Sequence, residues 1–330
     1  MWRPLGCESR YCERSRYFRV ATIVLALLSL QATVIGRSSA AVKVDNGFIT
    51  TRDGVKIHYL IAGTPRSQWH VKVSSKPMGE AQVAPTVGPT LLFVPGWTMP
   101  AWIWQKQIDY FSKNYRVVAM DPRCQGDSSQ TGEGLYPAAR ARDIKAVVDQ
   151  LHLAPVVLVG WSMAVTEVAA YVDQFGTRDV AALVFVDDNF GGLTPGEANG
   201  DLDFMNQVLT DRRKTTSDFI RMLFFKRPQP EGYVQRVIGA SLKVPTNTAV
   251  ALLLGKFAAD YRSAAAKMDK PTLFCYADSP YMTHAAQLRM QQSVRGSRLE
   301  VFEGDGHALF VDDAEHFNSV VESLLDALAK

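Results

Sequence analysis

Cysteine is scarce in this 330-residue chain: of the four present, Cys7 and Cys12 fall within the first 40 residues, which leaves Cys124 and Cys275. Two such thiols make no disulfide framework, and both read as small buried side chains. Neither a Cys-x-x-Cys nor a His-Glu-x-x-His spacing occurs, so a zinc site has no support. Beyond the first 40 residues there is no cluster of Lys and Arg interleaved with aromatics, the usual footprint of a nucleic-acid partner. No internal repeat is visible. With 47% hydrophobic and 21% charged residues, the composition also sets aside disordered and collagen-like chains.

What charge asymmetry there is sits at the start. Arg3, Arg10, Arg14, Arg16 and Arg19 precede an apolar run from Val20 to about Gly36, and the small residues Ser38 to Ala41 follow. This is the layout of a signal peptide cut after Ala40 or Ala41, or, left uncut, of a single membrane anchor. The segment carries six arginines against Glu8 and Glu13, so a formal net charge of +3 for the whole becomes about −1 once the leader is set aside. Residues 1–40 are therefore expected to export the protein to the periplasm or medium, with membrane attachment as the alternative, and residues 41–330 to form the folded domain.

After the leader, Gly47–Thr51 and Val55–Ala62 read as two strands joined at Asp53-Gly54. Residues 63–89 show no periodicity and read as a surface insertion. Short apolar runs then alternate with helical patterns: Leu91–Val94, Arg116–Met120, Val156–Val159, Ala181–Val186 and Thr272–Tyr276. Continuous apolar strands separated by amphipathic helices predict an α/β fold with a mostly parallel, doubly wound sheet. The helix expected from Pro137 to Leu151 places Ile144, Val147, Val148 and Leu151 on one face. Between residues 188 and 270 the alternation stops, and helices are expected instead at Ser217–Phe225, Tyr233–Leu242 and Thr248–Phe257, a lid inserted after the sixth strand. Arg298–Phe302 and Ala314–Leu328 supply the last strand and the last helix.

The chemistry centres on Leu158-Val159-Gly160-Trp161-Ser162-Met163-Ala164, which puts a serine on a tight turn between an apolar strand and a helix. That is the arrangement of a nucleophile elbow, in which small neighbours let strand and helix approach. Ala164 stands where the motif has a second glycine, and a helix-capping serine has the same local look. His307 is the histidine placed to serve as base: it lies in the Gly-flanked loop Glu303-Gly304-Asp305-Gly306-His307, after the last strand and after the serine in chain order. His58, His152 and His316 fall within strand or helix patterns, and His70 and His284 in less regular stretches. Phe93-Val94-Pro95-Gly96-Trp97-Thr98 ends a strand in a glycine turn, whose Trp97 N–H, with that of Met163, would form a two-donor oxyanion hole.

With these residues in view, the stretch from about Thr90 to Leu328 resembles the α/β-hydrolase superfamily, in its esterase and cofactor-free haloperoxidase branch. Asp121-Pro122-Arg123-Cys124-Gln125-Gly126-Asp127-Ser128-Ser129 resembles the turn that follows the fourth strand in that group, with Cys124 where glycine is usual; Pro95 stands where many members have histidine. The resemblance implies a triad acid after one of two strands. Asp187, within Val184-Phe185-Val186-Asp187-Asp188, is favoured; Asp278, after Thr272–Tyr276, is the alternative, and Asp188 the third choice. The implied activity is that of a carboxylesterase working through an acyl-enzyme on Ser162, without metal or organic cofactor, on a small-molecule ester. Perhydrolase or haloperoxidase-like activity on the same triad, and a weakly catalytic binder of a hydrophobic ligand, are the rival readings. Trp97, Trp161 and Phe190 are expected to wall the site.

Overall fold

Strands form where short runs of Val, Leu, Ile and Phe are bounded by turn formers, and helices where apolar residues return every three or four positions. The computed structural model describes residues 42–65, 88–192, 195–278 and 282–329; the expected leader and most of the 63–89 insertion lie outside them. The hairpin β1 (Val44–Thr50) and β2 (Lys56–Ala62) turns at Gly54, where φ is 82°. There follow β3 (Thr90–Val94), α1 (Gln105–Phe111), β4 (Val117–Met120), α2 (Pro137–Gln150), β5 (Val156–Trp161), α3 (Met163–Phe175) and β6 (Val180–Val186). The chain then leaves the sheet for α4 (Pro195–Thr210), α5 (Arg212–Phe219), a π-helical turn (Ile220–Phe224), α6 (Glu231–Leu242) and α7 (Thr246–Phe257). It returns through β7 (Thr272–Ala277), α8 (His284–Ser293), β8 (Arg298–Phe302), the short α9 (Leu309–Asp312) and α10 (Ala314–Leu328).

The eight strands form one sheet in the order β1-β2-β4-β3-β5-β6-β7-β8, antiparallel at β1-β2 and β2-β4 and parallel thereafter. Strand alternation sends side chains to two cores. Val157, Val159 and Trp161 of β5 join the cluster under α1 and α10, while Val156 and Leu158 join the one under α2 and α3. Each fully buried aliphatic side chain contributes roughly 1.5–3 kcal/mol, so strands buried on both faces hold their ends firmly. Because β3 lies between β4 and β5, successive connections diverge there and open a crevice at the carboxyl ends of the strands.

The insertion between β6 and β7 closes over that crevice through a third cluster, in which Met205, Val208, Val244, Ala249, Leu252 and Leu253 meet Trp97 and Met163. The helix expected at Ser217–Phe225 is instead the end of α5 followed by the π-helical turn. The physical reason lies in the loop after β8: Leu223 and Phe224 turn their carbonyls outward to accept the N–H groups of His307 and Ala308, at 2.8 and 2.9 Å.

Candidate active site

Ser162 leaves β5 with φ 56° and ψ −130°, a left-handed conformation that costs a non-glycine residue on the order of 1–3 kcal/mol. The turn is held by its own backbone: Ser162 N–H donates to the Val186 carbonyl (2.8 Å), and its carbonyl accepts from Val165 N–H (2.8 Å). A side chain at Gly160 would sit 2.8 Å from the Ala164 carbonyl, so the strand–helix crossing requires glycine there. At position 164 a methyl is accommodated, since Ala164 packs fully buried among the residues beneath α3.

Asp187 directly follows β6 and is also left-handed, at φ 52°. Its N–H donates to the Cys275 carbonyl (2.9 Å), its Oδ1 accepts from Ala277 N–H (3.0 Å), and its Oδ2 lies 2.6 Å from His307 Nδ1. A carboxylate on Nδ1 favours the proton there and leaves Nε2 as the accepting nitrogen. The imidazole is fixed at the backbone as well: His307 N–H donates to Leu223, and Trp161 Nε1–H donates to the His307 carbonyl (2.8 Å). Asp312 accepts from Gly306 N–H (2.9 Å) and Lys226 N–H (2.7 Å), tying the histidine loop to the insertion.

These three residues border one cavity of about 570 Å³. Trp97, Met163, Phe204, Phe219, Leu253 and Phe257 give it apolar walls, and the Lys256–Asp188 ion pair (2.9 Å) stands at its polar side. Gly96 touches the serine: a Cβ there would lie 2.7 Å from Ser162 Cβ and 3.2 Å from its Oγ. Among the described residues no acceptor takes the Trp97 N–H. Met163, as the first residue of α3, has no intrahelical acceptor for its own N–H.

The expected residues therefore divide. Ser162, His307, Asp187, Trp97 and Met163 are brought to one place. Asp278 is not: it stands exposed past β7, with its N–H on the Phe302 carbonyl (3.3 Å). Asp188 turns to Lys256. Of the three aromatics expected as walls, Trp97 faces the cavity. Trp161 and Phe190 are instead fully buried: strand alternation in β5 points Trp161 into the core against Trp104 and Phe310, and Phe190, in the loop after β6, packs against Phe185 and Phe274. His58 is buried on Asp121 (2.7 Å), His316 meets Glu300 (2.9 Å), and His70 lies outside the described residues.

His58, Asp121 and Asp127 bring ligand-type atoms within 4.8 Å of one another. Asp121 already accepts from Ala101 N–H and Asp127 N–H besides contacting His58, so its oxygens are committed to the fold. Cys124 has φ 68°, which explains why glycine is usual there; its Sγ offsets the strain by bonding both the N–H and the carbonyl of Thr131 (3.2 Å each). Gln125, Arg140 and Glu167, to which no sequence motif assigns a role, form a buried polar chain behind Gly96–Met99. Arg140 did carry a signal, as a charge four positions before Ile144 on the apolar face of α2.

The profile of the family described as "Alpha/beta hydrolase family" matches residues 91–318. A non-heme haloperoxidase from Rhodococcus erythropolis is 27% identical, over 85% of this chain and 99% of its own. A bifunctional esterase/perhydrolase from Acinetobacter calcoaceticus is 26% identical, over 82% of this chain and 96% of its own. Among solved structures, an esterase from Exiguobacterium antarcticum superposes with a TM-score of 0.71 at 22% identity, covering 84% of this chain and 98% of that one, a likeness of fold.

Proposed function

The chain belongs to the alpha/beta hydrolase family, and from that premise we propose that it is a serine esterase in which Ser162, His307 and Asp187 act as nucleophile, base and acid. The observation that carries this reading is the 2.6 Å contact of Asp187 Oδ2 with His307 Nδ1, beside a left-handed Ser162 on the same cavity. Ser162 Oγ attacks the ester carbonyl carbon while its proton passes to His307 Nε2. The oxyanion is met by the N–H groups of Trp97 and Met163. Collapse breaks the bond to the alcohol oxygen, which leaves with the proton from Nε2. A water deprotonated at the same nitrogen then attacks the acyl-enzyme and frees the acid. Asp187 stays ionised throughout and stabilises the transient imidazolium. A cavity of about 570 Å³ with aromatic walls suits a small-molecule ester with an apolar group.

One relative is named for perhydrolase as well as esterase activity, which supports hydrogen peroxide as a second acceptor for the same acyl-enzyme. The layout of residues 1–40 supports export of the enzyme, with an uncut leader acting as an anchor. N-terminal sequencing of the exported protein checks this: a start at Ala41 or Val42 bears it out, and an intact Met1 means anchorage.

The test of the main reading is hydrolysis of a chain-length series of p-nitrophenyl esters, with peracid formation measured in parallel, together with labelling by a fluorophosphonate. Activity and labelling that vanish in Ser162→Ala, with activity also lost in His307→Ala, are expected. A wild-type protein that cleaves no ester and resists the probe would instead be a binder of apolar ligands.

A further inference from the structure

The turn from Gly96 to Met99 passes directly beside Ser162, yet little within it holds its shape. Its internal hydrogen bonds are Met99 N–H to the Gly96 carbonyl at 3.2 Å and the Thr98 hydroxyl to the Trp97 carbonyl at 2.7 Å, and Thr98, a β-branched residue, is left-handed at φ 57°. Such a conformation persists only where the surroundings over-determine it.

Gln125 does this from beneath. Its side chain is fully buried, and its amide spans the turn: Nε2 donates to the carbonyls of Gly96 (2.9 Å) and Met99 (2.8 Å), while Oε1 accepts from Thr98 N–H (3.2 Å). The second lone pair of Oε1 accepts from Arg140 Nη2 (3.0 Å), so all four hydrogen-bonding positions of the amide are used. Arg140 can only donate, which fixes the amide's orientation: oxygen toward the guanidinium, nitrogen toward the two carbonyls.

Arg140 is set in its turn by Glu167, whose Oε1 accepts from Arg140 Nε at 2.5 Å, both side chains being almost wholly buried. Glu167 lies on α3, the helix whose first residue is Met163. One buried polar chain thus runs from α3 through Arg140 on α2 and Gln125 to the peptide groups of the Gly96–Met99 turn. It connects the elements that carry the two N–H groups assigned to the oxyanion hole. Side-chain bonds also hold the turn from the insertion, with Trp97 Nε1–H on the Ala249 carbonyl (2.8 Å) and Thr98 Oγ1 with Ser241 Oγ (2.6 Å). Those bonds from the insertion engage side chains of the turn, whereas Gln125 engages three of its peptide groups.

We propose that Gln125, oriented by Arg140 and Glu167, is a positioning residue that keeps the Trp97 N–H in register with that of Met163, so that the oxyanion site exists before substrate binds. The inference rests on the serine-esterase reading. Donors fixed in advance stabilise charge as it develops, and a displacement of about 1 Å costs roughly 100-fold in rate. A buried ion pair such as Arg140–Glu167 adds little net stability; here it orients the amide.

The experiment uses the full-length protein and two volume-preserving variants, Gln125→Met and Glu167→Gln. For each, kcat and KM on a p-nitrophenyl ester are measured beside affinity for a trifluoromethyl ketone, which adds to Ser162 and places an oxyanion in the hole. Gln125→Met should lower kcat by roughly 30- to 100-fold and weaken the ketone by a similar factor, while KM changes less than about threefold. Glu167→Gln, which keeps the shape and removes the charge, should give the same pattern at roughly 3- to 10-fold, and it decides the matter by the same readouts should Gln125→Met not fold. Variants that leave kcat and ketone affinity unchanged, or that change KM alone, overturn the inference while the esterase reading stands. A wild-type protein that neither cleaves esters nor takes a fluorophosphonate overturns both.

Discussion

The carboxyl edge of the sheet and the helical insertion meet at the cavity, and they are built differently. Four of the non-glycine residues with positive φ, Thr98, Cys124, Ser162 and Asp187, follow β3, β4, β5 and β6 in turn. Each is held by backbone or amide hydrogen bonds to a neighbouring strand end or loop. Among the described residues the insertion has no such position in α4 to α7, and it meets the site mainly through apolar side chains. Strained backbone is thus concentrated where the strands end, at Ser162 and Asp187 beside the cavity and at Thr98 and Cys124 in the adjoining loops, while enclosure is left to helices. On the proposed esterase reading, chemistry belongs to the edge and binding to the insertion, so edge variants should move kcat and insertion variants KM.

The largest effect is expected at Asp187. Asp187→Asn keeps the shape but presents an amide to His307 Nδ1, favouring the wrong tautomer, and should lower kcat by about 10³- to 10⁴-fold. Asp278→Asn should change it less than about threefold, because that carboxylate is exposed past β7. Steady-state kinetics of the two variants check this, and the opposite ranking would move the triad acid. Next comes Gly96→Ala: with its Cβ only 2.7 Å from Ser162 Cβ, either the serine or the turn must shift, so kcat should fall roughly 100-fold with KM little changed.

Much of the edge was legible because its signals are local. The apolar runs predict β3 to β7 within a residue or two, and Gly160 with Ser162 marks the elbow, since a crossing this close admits no side chain at 160. For the acid the sequence favours Asp187 only modestly over Asp278 and Asp188, because each follows a strand. Asp187 differs from the others in its left-handed backbone, in its contact with His307 and in the Ala277 N–H on its other oxygen, and no sequence pattern encodes these. The chain from Glu167 to Gln125 was illegible for a related reason: its members lie on two helices and a loop and become neighbours only once the sheet has formed. In the insertion, helices could be read from periodicity, but α4 was not singled out, and the π-helical turn arises from bonds to the histidine loop.

On the insertion side, Phe204 tests the assignment to binding. Its ring lines the cavity, with centroid distances of 5.6 Å to Trp97 and 5.0 Å to Phe219. Phe204→Ala removes apolar surface without touching a polar group of the edge, so KM for an apolar ester should rise by roughly 10-fold while kcat stays within about threefold. A kcat loss on the scale of Gly96→Ala would break the division. The Asp312 bonds to Gly306 and Lys226 show where such leakage would originate, because there the insertion is fastened to the loop that carries His307.

The smallest effect concerns pH and again separates the regions. His58 is buried beside Asp121, the residue after β4, and its hydrogen bond to that carboxylate, stronger than the opposing effect of burial, holds the imidazole above its usual 6.5. A raised folded-state value means that the stabilisation is complete below about pH 6.5 and is lost as pH rises through the folded-state value. In the insertion, burial pushes the Arg212 guanidinium down to about 10, where it still carries its charge at neutral pH. As pH rises above about 6.5 through the raised folded-state value, proton release from His58 therefore weakens the support beneath the edge and leaves Arg212 charged. Thermal unfolding should show a Tm that falls across this range, and His58→Gln should lower Tm most at the acid end and flatten the slope. A variant whose Tm runs parallel to wild type at every pH would remove His58 from the account and leave the pH response to other groups.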